Sequence, residues 1–105
     1  MESYVIDIVG SRAESTMAHL YVEPSERSYI WCIPLPYGAP EPSEKLVKNM
    51  AQYQLEKVVN DVVLTNLIAD TDYSIYCYSE TMESPPTPME TSIGDTRTDL
   101  STVTS

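Results

Sequence analysis

Apolar and polar residues alternate along most of this chain with the two-residue period of strands whose two faces meet different surroundings. YVIDIVG (4–10) carries β-branched residues and ends on Gly10, while STMAHLYVEP (15–24) sets Met17, His19 and Tyr21 against Thr16, Ala18, Leu20 and Val22 until Pro24 stops it. PSERS (24–28) reads as a polar turn, and SYIWCIPL (28–35) as a third strand, dense in large and β-branched side chains and broken by Pro34 and Pro36. The period then changes. In PYGAPEPSEKLVKNMAQY (36–53) a loop leads to Ser43 as an N-cap, with Glu44 in the first turn and Leu46, Val47 and Met50 on one helical face. LEKVVNDVVLTNL (55–67) returns to Val-rich strand character, with Asn60 and Asp61 forming a turn or bulge. DYSIYCYSE (72–80) is a further strand, TMESPPTPME (81–90) a Pro-rich loop, and TSIGDTRTDL (91–100) a weaker final strand. Seven short strand-like runs separated by turn signals predict an all-β sandwich or small barrel, with one short helix after the third strand.

Length and composition narrow this. At 105 residues the chain suits one domain, residues 1–105 with a core over about 4–100. Eight Tyr, one Trp and no Phe favour strands, and eight Pro against three Gly favour stiff loops. A net charge of −10 argues against nucleic acid, whose binders need Lys and Arg to displace counterions. The acidity suits a solvated, self-repelling surface, with calcium or a basic partner as the alternative. The first twenty residues hold no basic leader segment, and no apolar run is long enough to cross a bilayer. Two origins fit: a cytosolic protein, or one module of a longer secreted chain.

Little points to catalysis. A Ser/His/Asp or Cys/His mechanism would rest on His19 alone, inside an alternating strand. There is no CxxC, HExxH or Gly-rich phosphate loop, and the two cysteines are too far apart for a zinc knuckle. Paired acids for glycoside hydrolysis would need a cleft that so small a module has little room for. Asp70 and Asp72 are expected to form a turn through side chain to backbone hydrogen bonds, with weak calcium binding as the alternative. Asn49, Asn60 and Asn66 lack the following residues of a glycosylation acceptor. The expectation is a protein without enzymatic activity, cofactor or metal.

Residues 67–79 (LIADTDYSIYCYS) carry the more specific signal. Leu67, a turn, and then Tyr73 match a tyrosine corner, in which a phenol packs at a sandwich edge and its hydroxyl bonds to upstream backbone. VVLTNLIADTDYSIYCYSE resembles the E strand, E–F turn and F strand of a fibronectin type III domain, with Leu64 and Leu67 as paired apolar positions and Tyr73 as the corner. The resemblance extends more loosely over residues 4–100. It is nearest to the modules of bacterial and protist surface proteins, in which a strand ending in an LP-x-G phrase precedes a small loop and helix, here IPLPYGAPEPSEKLVKNM. Two departures stand out: Trp31 lies on the third strand rather than the second, and there is no Arg-Gly-Asp loop. The resemblance implies a seven-stranded Greek-key β-sandwich of fibronectin type III or immunoglobulin-like type.

In such a fold the third and sixth strands are neighbours, so Cys32 and Cys77 could meet as a disulfide across one sheet. The alternative is two buried free thiols. A disulfide would imply an oxidising compartment. On the sixth strand Tyr76 and Tyr78 point away from the corner side; together with Tyr37 and Tyr53 they would offer an aromatic contact surface, or pack across strands on an outer face. Pro85, Pro86 and Pro88 would stiffen a recognition tip or serve as a connector. These implications converge on an extracellular or cell-surface module that spaces or adheres within a larger protein. Its partners would be proteins, neighbouring domains or copies of itself, without membrane insertion. The alternative functions are a carbohydrate-binding or targeting module of a secreted enzyme, stacking sugars on Tyr76 and Tyr78, and a viral surface decoration.

Overall fold

A computed structural model describes residues 3–104, which contain seven strands. They are β1 (Ile6–Ala13), β2 (Ala18–Pro24), β3 (Ser28–Pro36), β4 (Gln52–Leu55), β5 (Asn60–Leu64), β6 (Asp72–Thr81) and β7 (Thr98–Ser101). One helical turn, α1 (Glu44–Val47), lies between β3 and β4, and a 3-10 turn, Gly94–Thr96, precedes β7. The strands form two antiparallel sheets, ordered β1-β2-β5 and β4-β3-β6-β7, and the chain crosses between them after β2, β4 and β5. The fold is a β-sandwich.

Its inner core forms where the apolar halves of the alternating strands face each other. Leu20 and Val22 from β2 and Val62 from β5 meet Ile30 from β3, Leu55 from β4 and Ile75 from β6, all essentially without solvent exposure. Each such side chain contributes roughly 1.5–3 kcal/mol relative to exposure.

Several element boundaries differ from the sequence reading, each for a local reason. β1 continues past Gly10 to Ala13, because a bulge between Ile8 and Gly10 absorbs the irregularity and restores pairing with β2. The turn expected at Asn60 and Asp61 lies before them, over residues 56–59. The Asn60 amide builds it from the first position of β5, donating to the carbonyls of Glu56 (2.9 Å) and Val58 (2.8 Å) and accepting from the Glu56 N–H (3.0 Å). Ser43 caps α1, its hydroxyl accepting from the Leu46 N–H at 3.2 Å. One turn is too short to bury a three-residue face, however, so Val47 is buried while Leu46 and Met50 are exposed. The last strand is shorter than the 91–100 run because Thr96 takes a strand's place: its hydroxyl accepts from the Cys77 N–H (2.7 Å) and donates to backbone carbonyls.

The two described ends leave from opposite poles. Val5 bonds to Ser25 through its N–H and its carbonyl, both at 2.8 Å. Val103 donates to the Glu14 carbonyl (3.1 Å) and accepts from the Asp70 N–H (3.2 Å). β1 runs from one pole to the other, and its eight residues span roughly 26 Å at strand rise. The molecule is correspondingly elongated, 45 × 26 × 20 Å.

Candidate functional site

β3 and β6 carry most of the predicted site residues, and the structure separates these by face. On the inner face Cys32 and Cys77 are direct partners in the β3–β6 register and are joined by a disulfide, with Cα atoms 4.1 Å apart. The bond closes a sequence separation of 45 residues, which removes on the order of 4 kcal/mol of chain entropy from the unfolded state. At the foot of β6, the Tyr73 hydroxyl accepts from the Ile68 N–H at 2.9 Å, five residues upstream, and Leu67 is buried beside it.

The turn between Leu67 and Tyr73 is made differently from the expectation. Asp70 serves through its backbone, in a left-handed conformation with φ 53°, rather than through a side chain to backbone bond. The Asp72 carboxylate accepts from the Ser101 hydroxyl. Thr102 completes the corner, donating to the Ile68 carbonyl (2.6 Å) and accepting from the Thr71 N–H (3.0 Å).

On the outer face of the same sheet, the two tyrosines of β6 pack across strands instead of forming an exposed contact surface. Tyr76 and Tyr78 are only 3% and 7% exposed. With Trp31 and Ile33 of β3 they form a second apolar cluster, closed from above by Val47 of α1. Gly38, at φ +82°, reverses the chain after β3 in a conformation that glycine adopts without strain, and the Ala39 carbonyl then accepts from the Tyr76 hydroxyl at 2.6 Å. The Trp31 and Tyr78 rings lie 5.9 Å apart, inclined by 29°. The Lys48 ammonium sits 4.9 Å from the Trp31 ring centre and 3.2 Å from the Glu80 carboxylate, so a cation–π contact and an ion pair hold α1 down together. Tyr78 also donates to Glu80 (3.1 Å); burial first, and that bond second, push its hydroxyl pKa well above the usual phenol value. Tyr53 is half-buried and donates to the Val63 carbonyl, so of the four tyrosines proposed as a contact surface only Tyr37 is largely exposed.

Pro85 and Pro86 are exposed at the tip of the β6–β7 loop, next to a cis Ser84–Pro85 bond. The loop is tied at its base, where the Thr81 N–H donates to the Thr87 carbonyl (2.8 Å) and the Thr87 N–H to the Thr81 hydroxyl (3.0 Å). Met89 anchors it in the core.

The sequence reading assigned His19 no more than a place on a strand. It stands on the outer face of the three-stranded sheet, its side chain only 10% exposed, with a carboxylate at each ring nitrogen. Nε2 is 2.6 Å from Glu14 and Nδ1 2.9 Å from Asp61. The bonds to Glu14 and then Asp61 raise its pKa above the ordinary histidine value, against burial and the neighbouring Arg12. Both nitrogens are engaged by the protein's own side chains, so neither faces a substrate as an open base. Among the described residues, no group of three His, Cys, Asp or Glu side chains is placed to hold a metal ion. Among the same residues, no helix is long and apolar enough to cross a membrane. No family model matches the chain, and comparisons with curated proteins and with solved structures return no match.

Proposed function

We propose that this chain is a fibronectin type III-like module of an extracellular or cell-surface protein, acting without catalysis as a spacer and adhesion unit. The observation that carries this reading is the exit of the two described ends from opposite poles of an elongated sandwich. Such a module adds length to a chain instead of folding it back. The sheet order β1-β2-β5 and β4-β3-β6-β7 and the Tyr73 turn support the family resemblance. The Cys32–Cys77 disulfide favours an oxidising compartment. The constrained loop carrying Pro85 and Pro86 is the natural tip for protein contact, with neighbouring domains or further copies as partners. A sugar-stacking role loses its platform with the burial of Tyr76 and Tyr78.

Thiol trapping on protein drawn from its native source, combined with protease shaving of intact cells, tests this proposal. The expected result is an oxidised Cys32–Cys77 pair on a chain released by shaving. A reduced pair on a chain protected inside the cell would overturn it.

A further inference from the structure

His19 joins side chains from three elements of the smaller sheet. Its own strand, β2, lies between β1 and β5. Asp61 reaches it from β5 and Glu14 from the turn between β1 and β2. The other charged or titratable groups facing the ring are Arg12 on β1, whose Nη2 is 3.1 Å from Nε2, and Tyr21 on β2, whose ring stacks at 6.4 Å and whose hydroxyl accepts from Arg12 at 3.4 Å. Arg12 is also 3.7 Å from Glu14.

This geometry has two self-consistent hydrogen-bond patterns. With the ring protonated, Nδ1–H donates to Asp61 and Nε2–H donates to Glu14, and Arg12 has no lone pair on the ring to address. With the ring neutral, Nδ1–H still donates to Asp61, while the Nε2 lone pair faces the Glu14 carboxylate and repels it. Arg12, already within reach, then donates to Nε2 instead. Loss of one proton therefore exchanges Glu14 for Arg12 at one nitrogen and leaves the Asp61 contact in place.

Glu14 is also where the chain's far end is held, since its carbonyl accepts from the Val103 N–H and its own N–H donates to the Met17 carbonyl at 2.8 Å. We propose that Glu14, His19 and Arg12 form a proton-operated latch that fastens the β1–β2 turn, and through it the C-terminal segment at Val103, when His19 is charged, and loosens both when it is neutral. Any effect on a following domain rests on the module reading above; the latch itself does not. It is a conformational device and requires no ligand.

NMR titration of the intact chain tests it, reading the His19 ring nitrogens and the Val103 amide across pH 5 to 9. In the wild type, His19 should titrate above the ordinary midpoint of about 6.5, with Nδ1 protonated in the neutral form. The Val103 amide shift should follow the same midpoint. Its hydrogen-exchange protection, corrected for intrinsic rates, should fall about two- to fivefold above it, the range that a part-exposed ion pair supports. Glu14→Gln should lower the midpoint and abolish the Val103 transition, and Arg12→Gln should raise the midpoint by removing the competitor. Asp61→Asn should lower the midpoint but leave Val103 coupled to it. The proposal is overturned by a wild-type midpoint at or below about 6.5, by a Val103 amide that does not titrate with His19, or by a Glu14→Gln variant that keeps the Val103 transition.

Discussion

The two sheets use the same backbone pattern for opposite purposes. In β2, the middle strand of the three-stranded sheet, alternation is complete: Ala18, Leu20 and Val22 face the core, and His19, Tyr21 and Glu23 face outward, His19 and Tyr21 within a charged network. In the four-stranded sheet, β3 and β6 are apolar on both faces, with Ile30, Cys32, Ile75 and Cys77 inward and Trp31, Ile33, Tyr76 and Tyr78 outward. A strand buried on both sides must be covered on both, which is what α1 and the loop before it do. The difference teaches where rigidity and charge reside: one sheet is clamped between two apolar layers and a disulfide, and the other carries the charged cluster around His19 on its outer face.

The comparison breaks most visibly if the outer layer is not a real core. Trp31→Ala should cost about 3–5 kcal/mol, the range for a buried aromatic truncated to alanine, although Trp31 lies outside the sandwich interior. Tyr21→Ala, on the open face of the other sheet, should cost under about 1 kcal/mol. Denaturant midpoints of the two variants measure the contrast, and a near-neutral Trp31→Ala would reduce α1 to surface decoration.

Next in size is the disulfide. The double substitution Cys32→Ala and Cys77→Ala should lower stability by about 2–4 kcal/mol through the long loop it opens, and the β3–β6 pairing should survive in the remaining folded protein. Urea unfolding with an unchanged circular dichroism baseline is the expected result. Loss of the folded baseline altogether would mean that the bond, rather than the two apolar layers, holds the larger sheet together.

What the sequence allows one to read follows from how local each cause is. The period-two runs locate six of the seven strands because alternation is a property of neighbouring residues. Ser43 marks the helix start for the same reason. The runs miss β4: Gln52 and Tyr53 read as the end of the loop and helix, and the Val-rich stretch after Leu55 is the turn over residues 56–59. Burial of Tyr76 and Tyr78 is not local: it depends on a loop some thirty residues upstream folding over them, and a tyrosine on an outer face looks alike whether covered or bare. The signal that does exist is that β3 and β6 are apolar at consecutive positions, from Tyr29 to Ile33 and from Ile75 to Tyr78, which is the mark of double burial. The His19 cluster was unreadable because Asp61 is joined to it by strand pairing with β5, a register that no spacing in the chain discloses, and Glu14 by the shape of the β1–β2 turn.

Tyr73→Phe sharpens the comparison at the edge where the two sheets meet. The substitution keeps the ring and removes the acceptor for the Ile68 N–H, so it should cost about 1 kcal/mol, the net worth of one hydrogen bond. The readout that separates a corner from generic packing is local: exchange of the Ile68 amide should accelerate while that of the Cys77 amide, bound to Thr96, stays unchanged.

The smallest expected effect is the one that depends on pH. His19 is raised above its ordinary value by Glu14 and Asp61, so the folded state binds its proton more tightly than the unfolded chain does. Its stabilising contribution is therefore complete below the unfolded midpoint of about 6.5 and disappears as pH rises through the higher folded midpoint. His19→Gln, which keeps polarity but cannot carry charge, should be less stable than the wild type at pH 5 by under about 1 kcal/mol and should match it at pH 9. Thermal unfolding of both proteins across that window measures the convergence. A difference that instead grew toward alkaline pH would mean that the ring is held neutral in the fold, with the open sheet stabilised by shape and not by charge.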